Sequence, residues 1–236
     1  METTLHRQLK QHYGGSGGLQ EVTIDGYRID AVQDGWLIEI QTGTLAGIRN
    51  KVRRLLDNYS VLVVKPLVVR KYLIRWNRPG GRVVSSRYSP SRGHLYDVFE
   101  DLVHMVEVFP HPNLALEIVL TEQEEHRVPA PRRRKGYRVQ DRLLREITDR
   151  VRLETAADLV ALLPRPLCQL ASQEPVTTLE IAREMAIPRW LAQKVGYCLR
   201  RTGAARVVGK KGNALLYRIE LAGPDDRTTS AASRAA

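Results

Sequence analysis

Apolar and polar side chains take turns along much of Leu19 to Thr42, and that run is cut twice by an Asp-Gly pair, at Asp25-Gly26 and Asp34-Gly35. Asp-Gly between strand-like segments predicts a two-residue type I′ turn, whose two central residues both need positive φ. The pattern therefore predicts a three-stranded meander over Leu19–Ile24, Tyr27–Gln33 and Trp36–Thr42. Turns of this length also fix the register. Ile24 faces Tyr27 and Gln33 faces Trp36, so Glu21 lies opposite Asp30 and Asp30 opposite Glu39. Alternation along a strand gathers Val22, Ile24, Tyr27, Ile29, Ala31, Trp36, Ile38 and Ile40 on a core face. The other face carries Glu21, Asp30 and Glu39 in a row, beside Thr23, Arg28 and Gln41.

Helical spacing brackets the meander. Thr3 or Thr4 caps a first helix to about Tyr13, with Leu5, Leu9, His12 and Tyr13 as its stripe. A second helix runs from about Leu45 to Asn58 on Leu45, Ile48, Val52, Leu55 and Leu56. Val61–Val64 is a continuous apolar run and reads as a strand buried on both sides. Further strands are expected at Val68–Trp76, Arg82–Ser86 and Leu114–Thr121. Helices are expected over Leu95–Val108, Asp141–Val151 and Thr155–Leu163. Then follow a helix capped at Thr177-Thr178 and ending at Met185, a helix over Arg189–Thr202 with Trp190, Leu191, Val195, Cys198 and Leu199 inward, and strands Ala205–Val208 and Ala214–Ile219. These elements divide the chain into a mixed α/β domain (1–121), a basic linker with helical connector (122–170), a small helical domain with a hairpin (171–222) and a disordered tail (223–236).

Composition narrows the partner. Lys plus Arg number 37 against 26 Asp plus Glu, a net charge of +11, which favours polyanions such as DNA or RNA. At 43% hydrophobic the chain can bury a core. Two cysteines exclude a disulfide framework. No signal-peptide core opens the chain, and no apolar run approaches the ~18–20 residues that span a bilayer. The expectation is a soluble cytoplasmic protein, with no membrane partner and the oligomeric state, homodimer included, left open.

The carboxylate row changes the picture most. Opposed strand residues have Cβ atoms about 4.5–5.5 Å apart. At ~5 Å and an effective dielectric near 20, each adjacent carboxylate pair costs about 3 kcal/mol. Two such pairs in a shielded cleft would consume much of a typical ~5–15 kcal/mol stability. Either the face is open to water or a cation sits on it, and oxygen-only ligands at this spacing suit Mg²⁺ or Mn²⁺.

The αβββαβ order over Met1 to Pro66, with Asp30 on the second strand and Glu39-x-Gln41 on the third, resembles the restriction-endonuclease-like, or PD-(D/E)XK, nuclease superfamily. The resemblance implies that Asp30, Glu39 and the Ile40 carbonyl hold the divalent metal, with Glu2 matching an acidic residue that some members carry on the first helix. Glu21 joins the candidate ligands from the pairing argument alone. The superfamily usually has Lys where Gln41 stands. The resemblance implies that Gln41 positions the attacking water and that Lys51, on the following helix, supplies the missing cation. Phosphate contacts are expected from Arg49, Arg53, Arg87 and Arg92, and from the run Arg132, Arg133, Arg134 and Lys135.

Farther on, helix, short turn, helix and basic hairpin resemble a winged helix-turn-helix. That implies DNA contacts from Arg189, Gln193, Lys194, Arg200 and Arg201 on the second helix and from Lys210 and Lys211 on the wing. Together these readings predict a metal-dependent DNA endonuclease acting on duplex or branched DNA. The rivals are a DNA-binding regulator on a catalytically inactive nuclease fold and an assembly module that binds proteins.

Overall fold

The computed structural model describes residues 3–15, 18–131 and 136–220. Glu2, Arg132, Arg133, Arg134, Lys135 and the tail beyond Glu220 lie outside the described residues. The fold is mixed α/β, and the chain divides into two compact units. One comprises Met1–Val98 and Asn113–Arg152, the other Phe99–Pro112 and Leu153–Ala236.

In the first unit, α1 (Thr4–Gly14) is capped by the Thr3 hydroxyl, which accepts from the His6 amide. The meander follows as β1 (Leu19–Ile24), β2 (Tyr27–Gln33) and β3 (Trp36–Ile40). Asp25, Gly26, Asp34 and Gly35 have φ of 49°, 77°, 50° and 79°, as type I′ turns require. The pairs Ile24–Tyr27 and Gln33–Trp36 are those that the turn lengths predict. One position departs. Pairs form on either side of Glu21 (Gln20–Ala31 and Val22–Ile29), while Glu21 itself takes φ 57°. The strand thus leaves extended geometry at the residue that would have completed the carboxylate row.

After a 3₁₀ turn at Leu45–Gly47 come α2 (Arg49–Leu55), β4 (Ser60–Trp76), β5 (Val83–Tyr88), β6 (Leu114–Pro129) and β7 (Tyr137–Leu153). The strand order is β1-β2-β3-β4-β6-β7, with β5 also paired to β4. The β3–β4 and β4–β6 pairs are parallel, and β1–β2, β2–β3 and β4–β5 are antiparallel. Leu5 and Leu9 of α1 pack on Ala31, Ile38, Ile40, Leu62, Val64, Ala115 and Val119. On β3, Leu37 through Ile40 are all buried, because helices cover both faces of this central strand. The carboxylate face is therefore not the open, solvated face that alternation alone allowed.

Several expectations are corrected. The two strands expected around Pro66 are one strand, β4, with a register shift between Val68 and Arg70. Pro66 interrupts nothing, because it lies past the end of β3 and its missing N–H faces an unpaired edge. The stretch Asp141–Val151 is not a helix but part of β7, which pairs with β6. Its Leu144 and Ile147 pack on the α1 core, and ladder bonds plus burial override local propensity. The expected boundary at 121/122 falls inside β6, so residues 122–129 of β6 and 137–153 of β7 belong to the sheet rather than to a linker. The helix expected over Leu95–Val108 shortens to a 3₁₀ turn at Leu95–Val98 and α3 (Phe99–Leu102). Beyond it the backbone makes i→i+3 bonds such as Met105 N to Leu102 O.

The second unit also contains α4 (Ala156–Ala161), α5 (Arg165–Gln173), α6 (Thr178–Glu184), α7 (Arg189–Arg201), β8 (Ala205–Lys211) and β9 (Ala214–Ile219). Thr177 and Glu180 form a capping box at α6. Val176 bridges Tyr217 on β9. Leu159, Leu167, Val176, Ile181, Val195, Cys198 and Leu199 are fully buried. Trp190 is not inward as expected. The buried stripe of α7 runs through Leu191, Ala192, Val195, Cys198 and Leu199, and Trp190, one residue off that stripe, is 48% exposed.

Leu9 has no exposed surface. Leu9→Ala is expected to lower the unfolding free energy by about 2–5 kcal/mol, checked by urea denaturation; a change below ~1 kcal/mol would show that α1 does not seal this core.

Candidate active site

Two carboxylates meet where the β2–β3 ladder ends. Ala31–Ile38 is the last pair, and Asp30 and Glu39 come next on their strands. The Asp30 carboxylate accepts from the Ile40 amide at 2.9 Å and from His6 Nε2 at 3.2 Å. His6 Nε2 also lies 2.9 Å from the Ile40 carbonyl oxygen. Both partners of Nε2 are acceptors, so that nitrogen carries the proton. Glu39, 5% exposed, accepts from the Lys51 ammonium at 2.5 Å. Lys51 also donates to the Arg28 carbonyl, tying α2 to β2.

Helix spacing explains the arrangement. His6 and Lys10 stand four residues apart on α1 and so share a face. His6 meets Asp30 and the buried Lys10 meets Glu21 at 2.7 Å. Glu21 also pairs with Arg28 at 2.5 Å. The three carboxylates of the predicted row thus each have a side-chain cation or donor from the protein itself. Asp141 of β7 anchors the start of α1 by accepting from the Thr4 amide and hydroxyl at 3.0 and 2.5 Å.

Burial and charge set the titrations. Burial alone would raise the Asp30 carboxyl, but the His6 and Ile40 hydrogen bonds and the nearby Lys10 charge hold it below its ordinary value of 3.8. Burial pushes the Glu39 carboxyl above its ordinary 4.5, Lys51 opposes this, and the Asp30 charge adds to the rise. The two carboxylates therefore sense one another, and the more deeply buried one holds its proton more readily.

The other candidates are distributed as follows. The Gln41 side chain donates to the Thr44 carbonyl at 2.5 Å, so it is turned toward the loop. The neighbouring buried Lys65 donates to the Gly43 carbonyl at 2.5 Å. Arg49 is half-buried, and Arg53, Arg87 and Arg92 are exposed. In the second unit Arg189, Gln193, Arg200, Arg201, Lys210 and Lys211 are exposed. Lys194 is half-buried, with its ammonium 3.4 Å from the Glu100 carbonyl. Arg183, Arg189 and Lys211 border a groove of about 660 Å³ that Leu179, Ile187 and Ala214 also line. Sequence reasoning missed His6 and Lys10. The signal was their i, i+4 spacing on a helix beside a carboxylate-bearing sheet.

Lys51→Met is expected to destabilise by about 3–5 kcal/mol near neutral pH, because it leaves a buried carboxylate without its partner. Glu39 has a raised folded pKa. Its contribution is therefore fully present below its unfolded value near 4.5 and is lost as pH rises through the folded value. Loss of Lys51 raises that value further, so the deficit of the variant should grow between pH 4 and pH 8, and Glu39→Gln in the same chain should recover part of it. A deficit independent of pH in urea unfolding would refute this coupling. Asp30→Asn should show the opposite trend. Its deficit of roughly 1–3 kcal/mol is present above pH 3.8 and shrinks as pH falls through the depressed folded value of Asp30; a deficit that persists unchanged in acid would contradict it.

Comparison with known proteins adds kinship without an activity. No solved structure matches the chain. A protein of Treponema pallidum (strain Nichols), described only as an uncharacterized protein, is 30% identical over 235 residues, covering 96% of this chain and 88% of that one. A family described as a domain of unknown function (DUF8091) matches residues 3–154. That span holds α1, the whole seven-stranded sheet and both site carboxylates, and the chain is a member of the DUF8091 family.

Proposed function

We propose that the protein is a metal-dependent nuclease acting on DNA, with Asp30 and Glu39 as its acidic pair. The observation that carries this reading is the convergence of three hard oxygen donors. The Asp30 carboxylate and the Ile40 carbonyl both lie within 3.2 Å of one atom, His6 Nε2, and the Glu39 carboxylate is near enough to Asp30 to sense its charge. Helix, meander, helix and parallel strand, in the order of the PD-(D/E)XK resemblance, support it.

The donor set suits Mg²⁺. That ion takes one or two carboxylates, keeps several waters, and needs no larger protein cluster. This matters because, among the described residues, no group of three or more His, Cys, Asp or Glu side chains could hold a metal. Asp30, Glu39 and the Ile40 carbonyl would hold the ion, which would supply an acidified water and stabilise developing charge on a phosphodiester. The chain's own residues do the rest. Asp30 stays ionised because His6 and the Ile40 amide hold it so. Lys51 provides the fixed positive charge that Gln41 lacks, from α2 as the resemblance implies. Glu21, paired with Lys10 and Arg28, is a supporting charge in this reading rather than a ligand.

The second unit supports nucleic acid as the partner. Its order of helix, bridge, two helices and basic hairpin resembles a winged helix, with Arg189, Gln193, Arg200, Lys210 and Lys211 outward.

One observation favours the rival reading, a DNA-binding protein without catalysis. His6 and Lys51 already satisfy all three oxygens. Plasmid DNA incubated with Mg²⁺ or Mn²⁺, beside Glu39→Gln and Asp30→Asn variants whose folding is checked by circular dichroism, separates the two. Metal-dependent cutting by the native chain, reduced at least about 100-fold in either variant, is expected. DNA shifted on a gel but never cut supports the rival, and neither cutting nor shift rejects both.

A further inference from the structure

The far half of the β4–β5 hairpin has a composition that the acidic site does not explain. From Arg70 to Gly93 the chain carries seven Lys or Arg and no Asp or Glu. Like charges this dense repel one another in the free protein, and a polyanion removes that penalty.

The aromatic residues within this stretch are placed with the cations. Tyr72 on β4 pairs directly with Tyr88 on β5. Their rings meet edge to face, with centroids 5.0 Å apart at 67°. The Arg70 guanidinium lies 3.7 Å from the Tyr88 centroid, and Arg145 of β7 lies 4.6 Å from Tyr72 and 5.8 Å from Tyr88. Tyr88 is 39% exposed on a strand that, among the described residues, pairs only with β4, and Val83 and Val84 at its start are more exposed still. The nearest β6 acids are engaged, Glu122 with Arg70 and Glu124 with His126.

Register links this platform to the carboxylates. Glu39 pairs with Val63, and Val63, Lys65 and Leu67 share a face by alternation. The shift between Val68 and Arg70 moves the parity by one, so Arg70 and Tyr72 continue the Glu39 face, roughly 30 Å along the strand.

We propose that this platform binds single-stranded nucleic acid, with unpaired bases stacking on the Tyr72–Tyr88–Arg145 cluster and phosphates on the surrounding arginines. Every base offers a flat π face to an aromatic ring or guanidinium, but only where it has left the duplex stack. A platform of rings and guanidiniums therefore selects unpaired strands, whereas cations alone would not discriminate. This deepens the nuclease reading and rests on it only for its consequence, a strand led along β4 toward Glu39.

The test is binding of a fluorescein-labelled oligothymidylate to the full-length protein by anisotropy, with EDTA present, against a blunt duplex of equal length. The single strand is expected to bind several-fold more tightly. Tyr88→Ala should weaken it by about fivefold or more. Tyr88→Leu, which keeps an apolar strand residue without a ring, should do the same. Tyr88→Phe should bind like the native chain. Tyr137→Ala, whose ring lies 5.0 Å from Arg75 and Arg127 and outside the Tyr72–Tyr88–Arg145 cluster, should weaken binding clearly less than Tyr88→Ala. Equal affinity for duplex and single strand, native binding by both Tyr88→Ala and Tyr88→Leu, or equal loss in Tyr137→Ala overturns the platform. Because EDTA removes catalysis, binding as expected with no cutting of plasmid fails only the nuclease reading. Cutting with native binding by both Tyr88 variants fails only the platform.

Discussion

Neutralising carboxylates that a covered sheet face brings together is the constraint on which the first unit depends. Glu39 is almost fully buried and Asp30 four-fifths so, and an unpaired carboxylate in such surroundings costs several kcal/mol. The response is built from both flanking helices. α1 supplies His6 to Asp30 and Lys10 to Glu21, and α2 supplies Lys51 to Glu39. Helix placement is therefore fixed twice, by Leu5 and Leu9 in the core and by charged side chains that reach the sheet only if each helix sits where it does.

The same constraint shapes the chemistry. A carboxylate held ionised beside one inclined to keep its proton is a pair whose members differ by environment rather than by residue type. Such perturbed pairs are common at functional sites and also occur in structural ion-pair networks. Here the backbone carbonyl of Ile40 is linked to Asp30 through a single imidazole nitrogen. Oxygen donors, cations and burial coincide at this corner of the sheet.

Charge compensation is uneven across the molecule. Around Asp30 and Glu39 opposite charges are matched closely. Along the β4–β5 hairpin, the outer face of α7 and the β8–β9 hairpin, cations far outnumber acids. The chain's net charge of +11 is thus unevenly spread, and like charges so gathered repel one another.

Local chemistry was legible in the sequence wherever it decides the structure by itself. Two Asp-Gly pairs determined the meander and its register, because only a short list of residues accepts positive φ at both turn positions. Thr3 and Thr177 marked helix starts because a hydroxyl satisfies an end amide that nothing else reaches. Asp30 beside Glu39 followed from counting along those strands. Tertiary structure decided what counting could not reach. It made Asp141–Val151 a strand because pairing with β6 and burial against α1 outweigh a helix-like pattern. It left Trp190 outside because one residue is 100° of helix. It also chose what answers the acidic row. The sequence showed like charges in need of a counter-charge, but only the packing of α1 and α2 over both faces of the sheet brought His6, Lys10 and Lys51, distant in the chain, within hydrogen-bonding reach.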